Sequence, residues 1–263
     1  MSEINLRNSK ITIVGLGLMG GSLGLALIEN QVCREVVGLV RRQAAVTEAL
    51  ELGVVHEATL DPAKALQDAD FVVFSTPIRT ILWQIDEYSP YYKAGAIITD
   101  MGSTKQEIVQ VMARLRGDVH PVGSHPMCGK ELAGMAAAEA TLYQHAPWVV
   151  TPLSRSNPQA TEAVQYMARS IGARPLVLTP HRHDKLVATI SHLPYTLAAS
   201  LVLAAQAIAA DDPAVWDVAA GGFRDTSRVA ASDVTMMLDI LLTNQGAVSQ
   251  LIALARQQLD QFA

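Results

Sequence analysis

Cysteine is scarce, with only Cys33 and Cys128 in 263 residues. Two thiols form neither a disulfide framework nor a zinc spacing, which excludes a cystine-stapled secreted scaffold and points to a reducing compartment, the cytosol. Charge is also sparse, at 17% of residues, and no block of Lys or Arg occurs in a chain of formal charge -5. Non-specific binding to nucleic acid or to an anionic membrane is therefore not expected, and an anionic ligand must be met by a few local groups. Met1 to Asn8 is polar and lacks the apolar core of a signal peptide. Also missing is an unbroken apolar run of the ~20 residues that span a bilayer. The longest stretch, Leu193 to Ala210, is interrupted by Pro194, Ser200 and Gln206. It reads as a buried helix of a water-soluble domain. Because that helix is apolar nearly all round, it needs cover on every side, which predicts a homodimer.

Half the residues are hydrophobic, so the chain is globular rather than disordered or fibrous. Its length favours two packed domains over one. Short β-type runs alternate with amphipathic ones from Lys10 to about Leu178, the pattern of a parallel sheet with helices on both faces. The strands are read at Lys10 to Val14, Glu35 to Val40, Phe71 to Ser75, Ala96 to Asp100, Val119 to Ser124, Trp148 to Thr151 and Pro175 to Leu178. Beyond Thr179, an N-cap before Pro180, the remainder reads as helix with breaks near Asp211 to Pro213, Gly221 to Gly222 and Thr243 to Gly246. The expected organisation is a nucleotide-binding domain over residues 1–178 and a helical domain over 179–263.

The first strand runs into Gly15-Leu16-Gly17-Leu18-Met19-Gly20 and then an apolar helix, which is the setting a dinucleotide fingerprint requires. Gly15 allows the tight turn, Gly17 lets backbone approach a pyrophosphate, and Gly20 lets helix pack on strand, with helix N-H groups aimed at the phosphates. The fold class is thus α/β, a Rossmann-type doubly wound parallel sheet followed by an all-helical domain. An NAD enzyme usually carries Asp or Glu about 20 residues on, where it accepts from the ribose 2'-hydroxyl. Here that place reads Val40-Arg41-Arg42, with no carboxylate and two guanidinium groups able to pair with a phosphate. The cofactor expected is NADP, with NAD as the alternative.

Chemistry in such sheets lies just beyond the strand ends. Ser75, Thr76 and Pro77 fit a wall of the cofactor site and also the start of the next helix. Ser103 follows the fourth predicted strand, where Ser103-x-x-Gln106 and Thr104-x-x-Glu107 both fit a capping box. His125 follows the fifth, with Pro126 forcing it toward extended backbone. It is the best candidate base, since imidazole titrates near neutral pH; the alternative is a histidine that only hydrogen-bonds backbone. His192 sits at the start of the apolar helix, where it either caps backbone or meets a ligand. Arg228 stands three residues after Asp225 on one helical face, which a surface ion pair would also explain. His181-x-His183-Asp184 lacks the spacing of a helical zinc pair, and no metal is expected.

Five segments in order, Gly15 to Ser22, Asp100-x-Gly102-Ser103-x-Lys105, His125-Pro126-Met127, Ser191-His192-Leu193-Pro194 and Gly222 to Arg228, resemble the prephenate/arogenate (cyclohexadienyl) dehydrogenase family over nearly the whole chain. The resemblance implies that His125 takes the proton of the ring hydroxyl, that Ser103 supports it, and that Arg228 holds a substrate carboxylate. By the same likeness His192 lines the substrate pocket, Gly221, Asp225 and Glu131 lie near its entrance, and the helical domain makes a dimer. The reaction implied is oxidative decarboxylation to tyrosine, of arogenate by preference, with prephenate as the alternative. Cys128 departs from the small or apolar residue expected there, and Lys130-Glu131 adds charge nearby. No tyrosine-sensing or mutase domain is expected beyond the helices. Other NADP oxidoreductases with a helical domain, such as 3-hydroxyacid dehydrogenases or imine reductases, lean on a helical Lys, and after residue 130 only Lys185 is present. A non-catalytic NADP sensor would keep the glycine loop and have no use for a base.

Overall fold

A computed structural model describes residues 6–130 and 132–262. Two compact units divide the chain, Met1–His183 and Asp184–Ala263. In the first, the elements run β1 (Lys10–Val14), α1 (Leu18–Glu29), β2 (Glu35–Leu39), α2 (Gln43–Glu51), β3 (Glu57–Thr59), α3 (Pro62–Leu66), β4 (Phe71–Phe74) and α4 (Ile78–Glu87). They continue with β5 (Ile97–Asp100), α5 (Gln106–Ala113), β6 (His120–Pro126), β7 (Pro147–Pro152), α6 (Pro158–Ser170), β8 (Arg174–Val177) and the start of α7 (Pro180–Val187). The strands form one sheet in the order β3-β2-β1-β4-β5-β6-β7-β8. Every residue of β1 and β4 is buried, as expected for strands covered on both faces, and this explains the unbroken Phe-Val-Val-Phe run of β4. The order reverses between β1 and β4, which is where such sheets open a ligand crevice.

Two features differ from the sequence reading. The edge strand β3 is extra, because Glu57-Ala58-Thr59 carries no apolar alternation to announce it. β7 pairs antiparallel with β6, with His125 opposite Val149, so the sheet is mostly rather than wholly parallel. The cause is the connection: between Pro126 and Pro147 the only regular helical element among the described residues is the 3-10 turn Met135–Ala137, and without a crossover helix the chain returns antiparallel. That connection also packs on α1. Tyr143 donates its hydroxyl to the Met19 carbonyl at 2.5 Å, and the Glu139 N-H donates to Ser22 Oγ at 2.9 Å.

The second unit is helical: α8 (Leu193–Ala209), α9 (Gly221–Ser227), α10 (Val234–Thr243) and α11 (Gln245–Leu259). Asp233 caps α10, accepting from the Met236 N-H, and Asn244 alone separates α10 from α11, which diverge by 95°. The expectation that the Leu193 to Ala210 helix is buried is corrected here. Only Ala198 of α8 is buried, while Leu203 and Ile208 are 65% and 63% exposed. The helical run is also longer than the apolar stretch suggested: through a π-turn at Ala188–His192 it extends from Pro180 to Ala209, a length and composition sufficient to cross a membrane.

Candidate active site

The carboxyl ends of β1, β2 and β4 enclose a cleft of about 410 Å³. Its floor is Gly15, Leu16 and Gly17, one wall is Val40, Arg41 and Arg42, and the other is Ser75, Thr76 and Pro77. Leu18, Met19 and Gly20 lie in the first turn of α1 behind it. The three loop glycines have different causes. Gly15 has φ +94°, and a β-carbon there would stand 2.5 Å from Thr76 Cγ2. At Gly20 a β-carbon would lie 2.0 Å from the Gly15 carbonyl oxygen, so the turn closes only with glycine. At Gly17 it would meet nothing within 4 Å, and the backbone is extended. Packing does not demand glycine at position 17, whereas a pyrophosphate lying on the loop would. The residues present therefore fit a dinucleotide, which Gly15 to Gly17 and the exposed Arg41 and Arg42 just past β2 would hold.

Those causes predict different effects on stability for two similar substitutions. Gly17→Ala should lower Tm by no more than about 3 °C, since an N-cap alanine in place of glycine costs about 1 kcal/mol or less, yet should weaken cofactor binding roughly tenfold or more. Gly20→Ala should cost about 2–4 kcal/mol of stability as well, because backbone must move. Calorimetry and cofactor titration of the pair check this.

Beyond β5 and β6 lies a buried polar anchor. The Asp100 carboxylate accepts from the Gly102 N-H at 2.8 Å, the Ser124 N-H at 3.0 Å and the Lys105 ammonium, and both charged side chains are fully buried. Lys105 also donates to the Ser124 carbonyl at 2.8 Å, and the Ser124 hydroxyl donates to the Asp100 carbonyl at 2.6 Å. A buried ion pair is stable only when such bonds satisfy its remaining donors and acceptors. Here they tie the end of β5 to the residue just before His125. Ser103 sits in the loop so fixed. The helix α5 begins at Gln106 with Lys105 at the N-cap position, so Ser103 stands ahead of the cap.

His125, half-buried at the end of β6, has its Nδ1 2.9 Å from Nε2 of His183, with ring centroids 5.1 Å apart and planes at 74°. The partner is buried in the first turn of α7, where its N-H donates to the Thr179 carbonyl. Nearby, burial pushes the Cys128 thiol up to about 11, so at neutral pH this departure from the expected residue is a protonated, small side chain packed against the core. Among the described residues, no three or more His, Cys, Asp or Glu side chains gather as a metal site would need.

In the helical unit, Gly221, Asp225 and Arg228 share one segment: Gly221 opens α9, Asp225 lies within it, and Arg228 follows its last residue, all three exposed. His192 lies apart from them in sequence, at the start of α8. It is buried, and its Nδ1 accepts from the Asn244 side-chain amide at 3.2 Å while that amide also donates to the Asp184 carbonyl at 2.8 Å. Glu131 lies outside the described residues. The sequence reading missed His183 as a partner of His125, Asn244 as a partner of His192, and Gln84. The Gln84 side chain lines the cofactor cleft and accepts from the Thr76 hydroxyl at 2.6 Å. A lone buried glutamine on amphipathic α4 was the one available signal for it.

Comparison with known proteins bears on what this arrangement is for. Residues 23–185 match the family described as prephenate dehydrogenase, nucleotide-binding domain, and residues 179–263 match prephenate dehydrogenase, dimerization domain. The chain belongs to the prephenate dehydrogenase family. It is accordingly an oxidoreductase with a nucleotide-binding domain, and the glycine loop lies just ahead of the matched residues. The prephenate dehydrogenase of Bacillus subtilis is 33% identical over 247 residues, covering 93% of this chain and 67% of the relative. Among solved structures, the arogenate dehydrogenase of Synechocystis is 33% identical with a TM-score of 0.84, covering 96% of this chain and 90% of that one. The prephenate dehydrogenase of A. aeolicus, solved with hydroxyphenyl propionate and NAD+, is 28% identical with a TM-score of 0.90, covering 99% and 90%.

Proposed function

We propose that this protein of the prephenate dehydrogenase family oxidises arogenate with NADP, yielding tyrosine and carbon dioxide. The cofactor, when bound, accepts a hydride from the ring carbon that bears the hydroxyl. His125 removes the hydroxyl proton as that hydride leaves, so the ring becomes a dienone conjugated to the carbon carrying the carboxylate. Loss of carbon dioxide sends its bonding pair into the ring, which aromatises as a phenolate, and His125 returns the proton to that oxygen. Atoms and charge then balance with no further reactant. Aromatisation drives the decarboxylation, so the chain supplies orientation and one proton relay rather than a separate decarboxylating group. Arg228 holds a substrate carboxylate by a charge-assisted pair, Ser103 supports the hydroxyl contact, and His192 lines the substrate pocket, with Gly221, Asp225 and Glu131 at its entrance. A second copy of the chain covers the exposed apolar side of α8, a use consistent with the matched dimerization domain.

The observation that carries the reading is His125, seated on a strand end braced by the Asp100-Lys105 anchor and engaged at Nδ1, which supports a reading of proton work at its other ring nitrogen. NADP is favoured by the two arginines where an NAD enzyme places a carboxylate, and arogenate by the likeness to the Synechocystis enzyme. Prephenate is the second reading, favoured by the Bacillus relative's name. Following nicotinamide reduction with each of the four substrate and cofactor combinations decides between them. The highest kcat/KM is expected for arogenate with NADP, and a preference for prephenate with NAD overturns the proposal. Replacing Arg41 and Arg42 together by Ala should raise KM for NADP roughly tenfold to a hundredfold, the size of one or two lost charge-assisted bonds, and leave KM for NAD nearly unchanged.

A further inference from the structure

We infer that His183 is the residue that sets the protonation state of His125, accepting the Nδ1-H so that Nε2 of His125 carries the lone pair. The inference rests on the reading of His125 as the base. Its ground is the 2.9 Å contact between His125 Nδ1 and His183 Nε2, made between residues 58 positions apart on β6 and α7. One proton lies between these two nitrogens, and its owner decides what His125 does. If His183 Nε2-H donated, the neutral His125 would carry its only proton on Nε2, where it could donate to a substrate hydroxyl but not deprotonate it. A base at Nε2 needs the opposite direction, with His125 Nδ1-H donating and His183 Nε2 accepting.

The surroundings of His183 favour the accepting role. Its side chain is only 1% exposed, so a charged imidazolium there would lose its hydration, and a second positive charge 2.9 Å from a ring about to gain a proton would oppose the transfer. A neutral acceptor does the reverse: once His125 is an imidazolium, its Nδ1-H donates a charge-assisted bond to His183, stronger than the neutral bond it replaces. His183 is thus a positioning residue that acts through His125. Its place is fixed by backbone, since its N-H donates to the Thr179 carbonyl at 2.9 Å and Pro180 opens the helix that carries it. The steep angle between the ring planes, 74°, suits one directional N-H to N bond and not stacking.

Selective nitrogen-15 labelling of histidine in the full chain tests this without any substrate, with the His125 signals assigned by their loss in His125→Asn. The expected spectrum places the proton of neutral His125 on Nδ1, and a proton on Nε2 overturns the inference. Kinetics supply a second arm. His183→Phe, which keeps a ring but has no acceptor, should lower kcat about tenfold to a hundredfold, the effect of one charge-assisted bond, with both KM values within about threefold. His183→Gln, whose amide oxygen can accept, should recover most of that loss. Equal losses in both variants, or a loss carried by KM, contradict the assignment. Should neither arogenate nor prephenate turn over, the substrate reading fails while the nitrogen spectrum still decides the role of His183.

Discussion

His125→Asn should lower kcat by roughly two to four decades, the usual contribution of a general base, while leaving the cofactor dissociation constant and the melting temperature close to those of the parent. Asparagine retains a hydrogen-bonding side chain of similar reach but has no group that takes a proton near neutral pH. The cofactor cleft is formed by the ends of β1, β2 and β4, on strands other than β6, which is why affinity for the nucleotide should survive. Steady-state kinetics with saturating nucleotide, together with a titration of nucleotide binding, separate the two effects. A variant retaining a third or more of the parental rate would falsify the base assignment.

The second large effect belongs to stability. Lys105→Met should destabilise the nucleotide-binding unit by about 3–5 kcal/mol, because it leaves the Asp100 carboxylate buried without its cation. In a chain of this size that corresponds to a fall of about 10 °C in Tm. The double substitution Asp100→Asn with Lys105→Met should recover part of the loss, since it removes the uncompensated charge, although the amide oxygen can accept from only one of the Gly102 and Ser124 N-H groups that the two carboxylate oxygens serve in the parent. Thermal unfolding of the two variants beside the parent measures this directly. A double variant less stable than the single one would contradict the account of the anchor.

What the sequence made legible follows the range of the interactions concerned. The glycine loop is local: a strand, three glycines at fixed spacing and a helix lie within twenty residues, and their reasons survive in the structure as a positive φ at Gly15 and a blocked β-carbon at Gly20. The Thr179-Pro180 helix start is equally local, and the Arg182 N-H does reach Thr179 Oγ1, at 3.3 Å. The direction of β7 was not legible, because it depends on the absence of a crossover helix in a stretch whose composition alone does not exclude one. The exposure of α8 in the single chain was legible only in part: its composition reports a helix that needs cover on every side, from which a second copy was expected, but not which of its side chains the rest of the chain leaves uncovered.

The candidate site divides in the same way. Gly15, Gly17, Arg41, Arg42, Ser75 and Thr76 were placed in one cleft from spacing alone, and they line it. Contacts made across long stretches of sequence were invisible. His183 drew attention only as part of a discarded metal pattern, yet it bonds to His125 once β6 and α7 are folded. Lys105 was noted in a motif without a role, because only the neighbouring end of β6 gives its ammonium a second partner.

The most direct test of the central claim is a product balance. Purified protein incubated with arogenate and NADP should form tyrosine, carbon dioxide and reduced nucleotide in equal amounts, with all three falling together in His125→Asn. Nucleotide bound but never reduced, with arogenate or with prephenate, would contradict the account.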